Sequence, residues 1–179
     1  MIYFFLADGF EEIEALCPLD LCRRAGLEAK TVSITANKTV TGSHGITVTA
    51  DLCEKDTLGN FDMMVLPGGM PGTTNLGEST LVEKSILTAL EKDSYIAAIC
   101  AAPMILGKRG LLRGKEAICF PGFEQYLDGA TVSDKKVVLD GKILTAAGMG
   151  VSHDFGLKIV EVFKGKETAD KLCSSVLYK

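Results

Sequence analysis

Ser94-Tyr95-Ile96-Ala97-Ala98-Ile99-Cys100-Ala101-Ala102-Pro103-Met104 is the stretch whose reading decides the fold. Ile96 to Ile99 is an apolar run of strand length, and Cys100 follows it at once. Proline is favoured in the first turn of a helix, where its missing N–H costs nothing, so Pro103 predicts a helix starting just after Cys100 and running to about Gly107. Strand, one-residue corner and helix in that order can hold a cysteine in a strained backbone conformation, as a nucleophile elbow holds its serine. The partial positive charge of the helix start then favours thiolate over thiol. The plainer alternative is that Cys100 is one more small buried residue, since free cysteine packs well in cores.

Working outward, the same alternation of strand and helix recurs. Ile2–Leu6 reads as a first strand. Asp8-Gly9 turns the chain, and Phe10–Ala25 reads as a helix ended by Gly26. By helical spacing Phe10, Ile13, Cys17 and Leu21 share a face. Glu14 lies about 20° from Leu21 on that wheel, along the edge of the apolar face, while Glu11 and Glu12 point away. Pro18 lacks the N–H that would pair with the Glu14 carbonyl, which predicts a kink.

Lys30–Thr35 and Phe61–Leu66 are further strands, the latter broken by Pro67-Gly68-Gly69. Between them, Val40–Ala50 has the turn chemistry of a small hairpin or edge strand. Leu81–Leu90 is a helix and Ala117–Phe120 a short strand. Val137–Leu139 and Lys142–Thr145 flank an Asp140-Gly141 hairpin turn. Val151–Phe163 and Thr168–Val176 are closing helices. No linker, internal repeat or low-complexity segment divides the chain. The expectation is one domain over residues 1–179: an α/β sandwich with a largely parallel central sheet.

Composition narrows the function. The chain has 179 residues, a formal charge of -4, 47% hydrophobic residues and scattered Lys and Arg, which is no nucleic-acid surface. No apolar run is long enough for a membrane helix, and the N-terminus lacks the basic start of a secretory signal. Six cysteines without a CxxC pair and only two histidines give no zinc pattern. Reduced thiols, no cofactor and no metal in a cytoplasmic protein are expected.

In sheets of this kind ligands gather at the carboxyl ends of the strands, near the switch in strand order. Three spots fall there: Asp8-Gly9 leading to Glu14, Pro67-Gly68-Gly69, and Cys100-Ala101. Consecutive glycines let backbone amides approach closely. The N–H groups of Gly69 and Ala101 are therefore candidates for an oxyanion hole beside the Cys100 sulfur. An ordinary tight turn is the other reading of Pro67-Gly68-Gly69.

These blocks resemble a known family. Ala7-Asp8-Gly9-Phe10-Glu11-Glu12-Ile13-Glu14, Asp62–Gly69, Asn75-Leu76, Ala97–Pro103, Asp140–Thr145 and Gly148-Met149-Gly150 occur in the order of the ThiJ/PfpI superfamily. The resemblance is greatest to its small single-domain branch, which includes the parkinsonism-associated protein and bacterial relatives. It implies a flavodoxin-like fold of the class I glutamine-amidotransferase type and a homodimer. It also implies an oxidation-prone cysteine at Cys100, a carboxyl partner at Glu14, and facing amides at Gly69 and Ala101. Family activities include glyoxalase and deglycase action on methylglyoxal or its adducts, peptidase action, redox sensing and chaperone-like holding.

The chain also departs from the pattern. Peptidase-like members have a histidine directly after the elbow cysteine, where this chain has Ala101. Several deglycase-like members have one in the segment that here is Cys119-Phe120-Pro121. His44 lies in the hairpin turn, where relatives can have an arginine facing the partner subunit, and His153 begins a late helix as a surface or dimer contact. Proteolysis is not expected. A free thiol is only about 3% ionised at pH 7, and an ionised Glu14 would repel a thiolate that a protonated Glu14 would stabilise. The expected function is a cysteine-dependent deglycase or glyoxalase acting on small α-oxoaldehydes, with Cys100 as nucleophile and Glu14 moving protons. The alternatives are a non-enzymatic redox sensor that works through oxidation of Cys100, and a structural core with a vestigial site.

Overall fold

Two layers of helices cover a seven-stranded sheet in the computed structural model, which describes residues 1–178. The chain runs β1 (Ile2–Leu6), α1 (Glu12–Arg24), β2 (Ala29–Ser33), β3 (Thr39–Thr41), β4 (Thr47–Thr49), β5 (Leu52–Cys53) and β6 (Met63–Leu66). It continues through α2 (Gly72–Glu78), α3 (Thr80–Glu91), β7 (Tyr95–Ile99), α4 (Pro103–Gly107), β8 (Glu116–Ala117) and β9 (Thr131–Val132). The last elements are β10 (Val137–Asp140), β11 (Ile143–Ala146), α5 (Ser152–Lys164) and α6 (Lys166–Ser175).

Sheet order is β10-β11-β7-β6-β1-β2-β5. Every pairing is parallel except β10 with β11, which form the hairpin expected around Asp140-Gly141. The order reverses between β1 and β6. That is the switch point of a flavodoxin-like sheet, and it places the loops after β1 and β6 side by side, with the loop after β7 next to them.

Side-chain alternation assigns the two cores. Tyr3 and Phe5 of β1 join Leu76, Val82, Ile86 and Ile105 on the α2–α3–α4 face. Ile2 and Phe4 join Leu19, Cys22, Phe155 and Ile159 on the α1–α5 face. Strands buried on both sides explain why β1, β6 and β7 are apolar runs rather than alternating ones.

Helix α1 differs from its sequence reading in two ways. It starts at Glu12, not Phe10, because the Glu11 side chain caps it by accepting the Glu14 N–H at 2.7 Å. The buried face includes Ala15, Pro18, Leu19, Leu21 and Cys22 and leaves Ile13 45% exposed. Glu12, expected to face water, is only 4% exposed. The turn of the β3–β4 hairpin lies over it, and the Glu12 carboxylate accepts the His44 N–H at 2.8 Å and sits 2.9 Å from His44 Nδ1. Burial raises the carboxyl, but the His44 ring and the Glu12, His44 and Ile46 N–H groups outweigh it and hold its pKa below the usual carboxylate value.

Two short elements escape the sequence pattern. The segment expected as a strand over Ala117–Phe120 pairs only at Glu116–Ala117, with β9, in a separate two-stranded sheet. The α2 helix begins at Gly72 and has no apolar periodicity. It follows from backbone contacts of the preceding glycine loop, including Thr73 N–H to Gly69 O at 2.9 Å.

The α1–α5 crossing is tight at one point. A Cβ on Gly156 would lie 2.8 Å from Pro18 Cα and 2.8 Å from Leu21 Cδ1. Gly156→Val should therefore lower unfolding free energy by about 2 kcal/mol, read from urea denaturation. A loss below roughly 0.5 kcal/mol, the scale of ordinary surface changes, would mean that the two helices are free to separate there.

Candidate active site

Cys100 is the last residue before the chain turns from β7 toward α4, and its backbone is left-handed, with φ 64°. For a residue with a Cβ this conformation costs on the order of 1–3 kcal/mol. Neighbouring segments hold it: the Cys100 N–H donates to Ala146 O in β11 at 2.9 Å, and Cys100 O accepts from the Phe120 N–H at 2.8 Å. Pro103 is at the helix start, as expected. The helix itself spans only Pro103–Gly107, so its dipole is too short to be the main influence on the sulfur. Individual amides are what favour the anion there. The N–H groups of Gly69 and Ala101 reach the Cys100 thiol and draw its pKa down.

Glu14 comes from the first turn of α1 and is fully buried. Its Oε2 accepts the Gly68 N–H at 2.9 Å. Its Oε1 is buried without a hydrogen-bond partner of ordinary geometry, and the Cys100 thiol and the Met149 amide act on the carboxyl more loosely. Gly68 makes the meeting possible. A Cβ there would stand 2.5 Å from Glu14 Oε2 and 3.1 Å from Cys100 Sγ. Gly69 is equally confined, with φ 88° and its α-carbon against the backbone of Gly9 and Glu11. The four residues expected at the site, Glu14, Gly69, Cys100 and Ala101, thus fall together. Phe120, noted in the sequence where several relatives have a histidine, and Gly68 of the glycine pair join them, as do Gly148 and Met149, which the sequence marked only as a family block without assigned roles.

The electrostatics refine the expectation of a ready thiolate. Burial pushes the Glu14 carboxyl up to about 7, with the Glu11 charge adding to it. Burial and the Glu14 charge push the Cys100 thiol up to about 12, against the pull of the Ala101 and Gly69 amides. The Glu14 charge raises the Cys100 thiol, whereas the thiol, hydrogen-bonded to the carboxyl, pulls Glu14 down against its burial; two negative charges exclude one another there near neutrality. An anion on sulfur requires the proton to sit on Glu14. The orphaned Oε1 is the oxygen with room to carry it and donate it onward.

Neither histidine attends the thiol. His44 pairs with Glu12, and the His153 ring stacks on Tyr178 at 4.6 Å. In place of an imidazole, the Phe120 ring stands over Gly148 beside the sulfur. Glu11, Glu12 and His44 bring potential metal-ligand atoms within 4.8 Å of one another, but both Glu12 oxygens already serve the hairpin turn. Two hollows lie near the carboxyl edge of the sheet. One of about 380 Å³ is bordered by Asp8, Thr35, Glu54, Asn75 and Glu78 and does not include Cys100. The other, about 340 Å³, is lined by Phe120, Gly148 and Met149; it does not include Cys100 either, but Gly148 brings it close to the thiol.

A carboxyl whose pKa rises on folding contributes stability below its ordinary value of 4.5, and loses that contribution as pH climbs through about 7. A glutamine has no such pH dependence. From pH 5 to pH 8, Glu14→Gln should gain on the wild type by up to roughly 3 kcal/mol. Chemical denaturation at the two pH values reads the difference. A gap that stays constant would place the titration elsewhere.

Comparisons with known proteins agree with this geometry. The DJ-1/PfpI family matches residues 1–162. Protein dj-1beta of Drosophila melanogaster is 35% identical over 175 residues, covering 96% of this chain and 94% of that protein. The glutathione-independent glyoxalase DJR-1.2 of Caenorhabditis elegans is 29% identical over 90% of this chain and 87% of its own. The crystal structure of oxidized Toxoplasma gondii DJ-1 superposes with a TM-score of 0.91 at 33% identity, covering 98% of this chain and 97% of that one. With sheet order, elbow and full-length similarity all in agreement, the chain belongs to the DJ-1/PfpI family.

Proposed function

We propose that this protein is a cysteine-dependent enzyme of the glyoxalase or deglycase type that acts on small α-oxoaldehydes or their adducts. The observation that carries the reading is the buried Glu14 carboxyl against Cys100, with the Gly69 and Ala101 amides on the same sulfur. The similarity to a glyoxalase named as independent of glutathione supports it. The six unpaired thiols are consistent with a reducing, cytoplasmic setting.

On this reading the Cys100 sulfur forms a bond to the aldehyde carbon, and its proton passes by way of Glu14 to the carbonyl oxygen. Glu14 then takes the hydrogen on that carbon as a proton and returns a proton to the neighbouring carbon. The first carbon becomes a thioester as the adjacent ketone becomes an alcohol. Oxidation at one carbon balances reduction at the other. Water cleaves the thioester, freeing the thiol and a 2-hydroxycarboxylate. A carboxyl with a pKa of about 7 is suited to both directions of proton transfer. Purified protein should convert methylglyoxal to lactate, and Cys100→Ala should lose at least about a hundredfold in kcat/KM, the usual scale for a lost nucleophile or proton carrier. Equal turnover by the variant would reject the assignment.

A second reading, redox sensing, is favoured by a phenylalanine rather than a histidine standing near the thiol and by partial exposure of the elbow cysteine. Among the six thiols only Cys100 has both facing amides and a protonatable carboxyl at its sulfur. Burial pushes Cys22 up to about 12 and, with a nearby acid, Cys17 and Cys119 up to about 11, so Cys100, itself at about 12, is set apart by its facing amides and the Glu14 proton and not by a lower pKa. Graded hydrogen peroxide followed by peptide mass spectrometry should therefore mark Cys100 first, as the sulfinate. Glu14→Gln keeps a donor and should preserve that product, whereas Glu14→Leu should shift it or slow it. Earlier oxidation of Cys17, Cys53 or Cys119 would contradict the site. Oxidation that alters partner binding, without any carbonyl turnover, would favour the sensor.

A further inference from the structure

Beside the Cys100 thiol lies a wall the chemistry above does not use. Phe120, Pro121, Lys136, Ala147, Met149 and Val151 line the hollow of about 340 Å³. The Phe120 ring is 47% exposed and the Met149 side chain 49%. Large apolar groups left this open beside a reactive group mark a place for an apolar ligand surface. Gly148 connects the hollow to the sulfur. A Cβ built on Gly148 would lie 3.1 Å from the Phe120 ring and 3.9 Å from Cys100 Sγ, so ring and thiol stand close together across this glycine.

Phe120 is held in this position by its backbone, not its ring. Its N–H donates to the Cys100 carbonyl at 2.8 Å, a bond that any side chain at this position would keep. The ring is therefore free to serve the substrate. Once sulfur has bonded to the aldehyde carbon, the substituent on the neighbouring ketone carbon extends two bonds further. A methyl group ends there and leaves the hollow unfilled. An aryl ring or a branched alkyl chain continues across Gly148 and packs against the Phe120 face, where ring pairs at centroid spacings of about 4.5–7 Å attract.

We infer that Phe120 is a specificity-determining residue, and that the preferred substrates are 2-oxoaldehydes bearing an aryl or branched-alkyl substituent. The inference rests on the thiol-addition reading of Cys100 and names the substrate class of that site. The reaction balances as before: the aldehyde carbon is oxidised to the carboxyl level, the ketone carbon is reduced to the alcohol, and one water is consumed. With phenylglyoxal the product is mandelate.

The experiment compares kcat/KM for phenylglyoxal and methylglyoxal in three proteins: wild type, Phe120→Ala and Phe120→Leu. The ratio of the two constants cancels intrinsic losses common to both substrates. Phe120→Ala should lower the phenylglyoxal-to-methylglyoxal ratio by about tenfold, the scale of one lost apolar contact in a specificity pocket. Phe120→Leu, which restores apolar bulk, should keep most of the wild-type ratio. Because the ring is half exposed, truncation is not expected to unfold the protein, and equal thermal midpoints verify this. An unchanged ratio in Phe120→Ala, or methylglyoxal turnover with none of phenylglyoxal, overturns this inference and leaves the thiol chemistry standing. Failure of the wild type on both substrates overturns the thiol chemistry as well.

Discussion

The missing side chain at Gly68 is the constraint on which the rest of the site depends. Three segments far apart in sequence meet there: the first turn of α1, the loop after β6 and the corner after β7. Their meeting leaves no volume for even a methyl group between the Glu14 oxygen and the Cys100 sulfur. The Gly68 amide in turn supplies the one firm hydrogen bond that the buried carboxyl accepts, and the Gly68 carbonyl accepts the Glu11 N–H at 2.9 Å. A single residue thus aligns the helix, satisfies half of the carboxyl and sets the separation of two groups that resist being charged together. Parallel strand order brings the loops near one another, and the glycine decides how near.

Much of this was legible in the sequence because the relevant signals are local and steric. Apolar runs buried on both faces announced β1, β6 and β7, and Pro103 marked the corner at Cys100. Paired glycines after a strand pointed to close backbone approach. Glu14 was placed correctly since its position relative to the helix face depends only on helical pitch. The failures have a common origin in tertiary covering. Glu12 looked solvated because nothing in its own helix hides it; the hairpin turn that does so arrives thirty residues later and brings its own hydrogen-bond donors. Ile13 looked buried from its helical spacing, yet tertiary packing leaves it 45% exposed.

The ionisation of the site was the least legible part. A thiol at a strand-to-helix corner suggested stabilisation of the anion, and two amides do act in that sense. Burial and the Glu14 charge act in the other and are larger causes. Their balance depends on desolvation, which has no sequence signature. What emerges is a coupled pair in which the location of one proton, not the pKa of either group alone, governs reactivity.

The left-handed backbone at Cys100 has an evolutionary consequence. Glycine adopts φ 64° without steric penalty, so on conformational grounds the fold would be easier to make with glycine at position 100. Thermodynamic drift at this position leads away from sulfur. A cysteine kept there is held by selection on what its side chain does, against the preference of the polypeptide itself, and the strain at that corner measures how strong the selection must be.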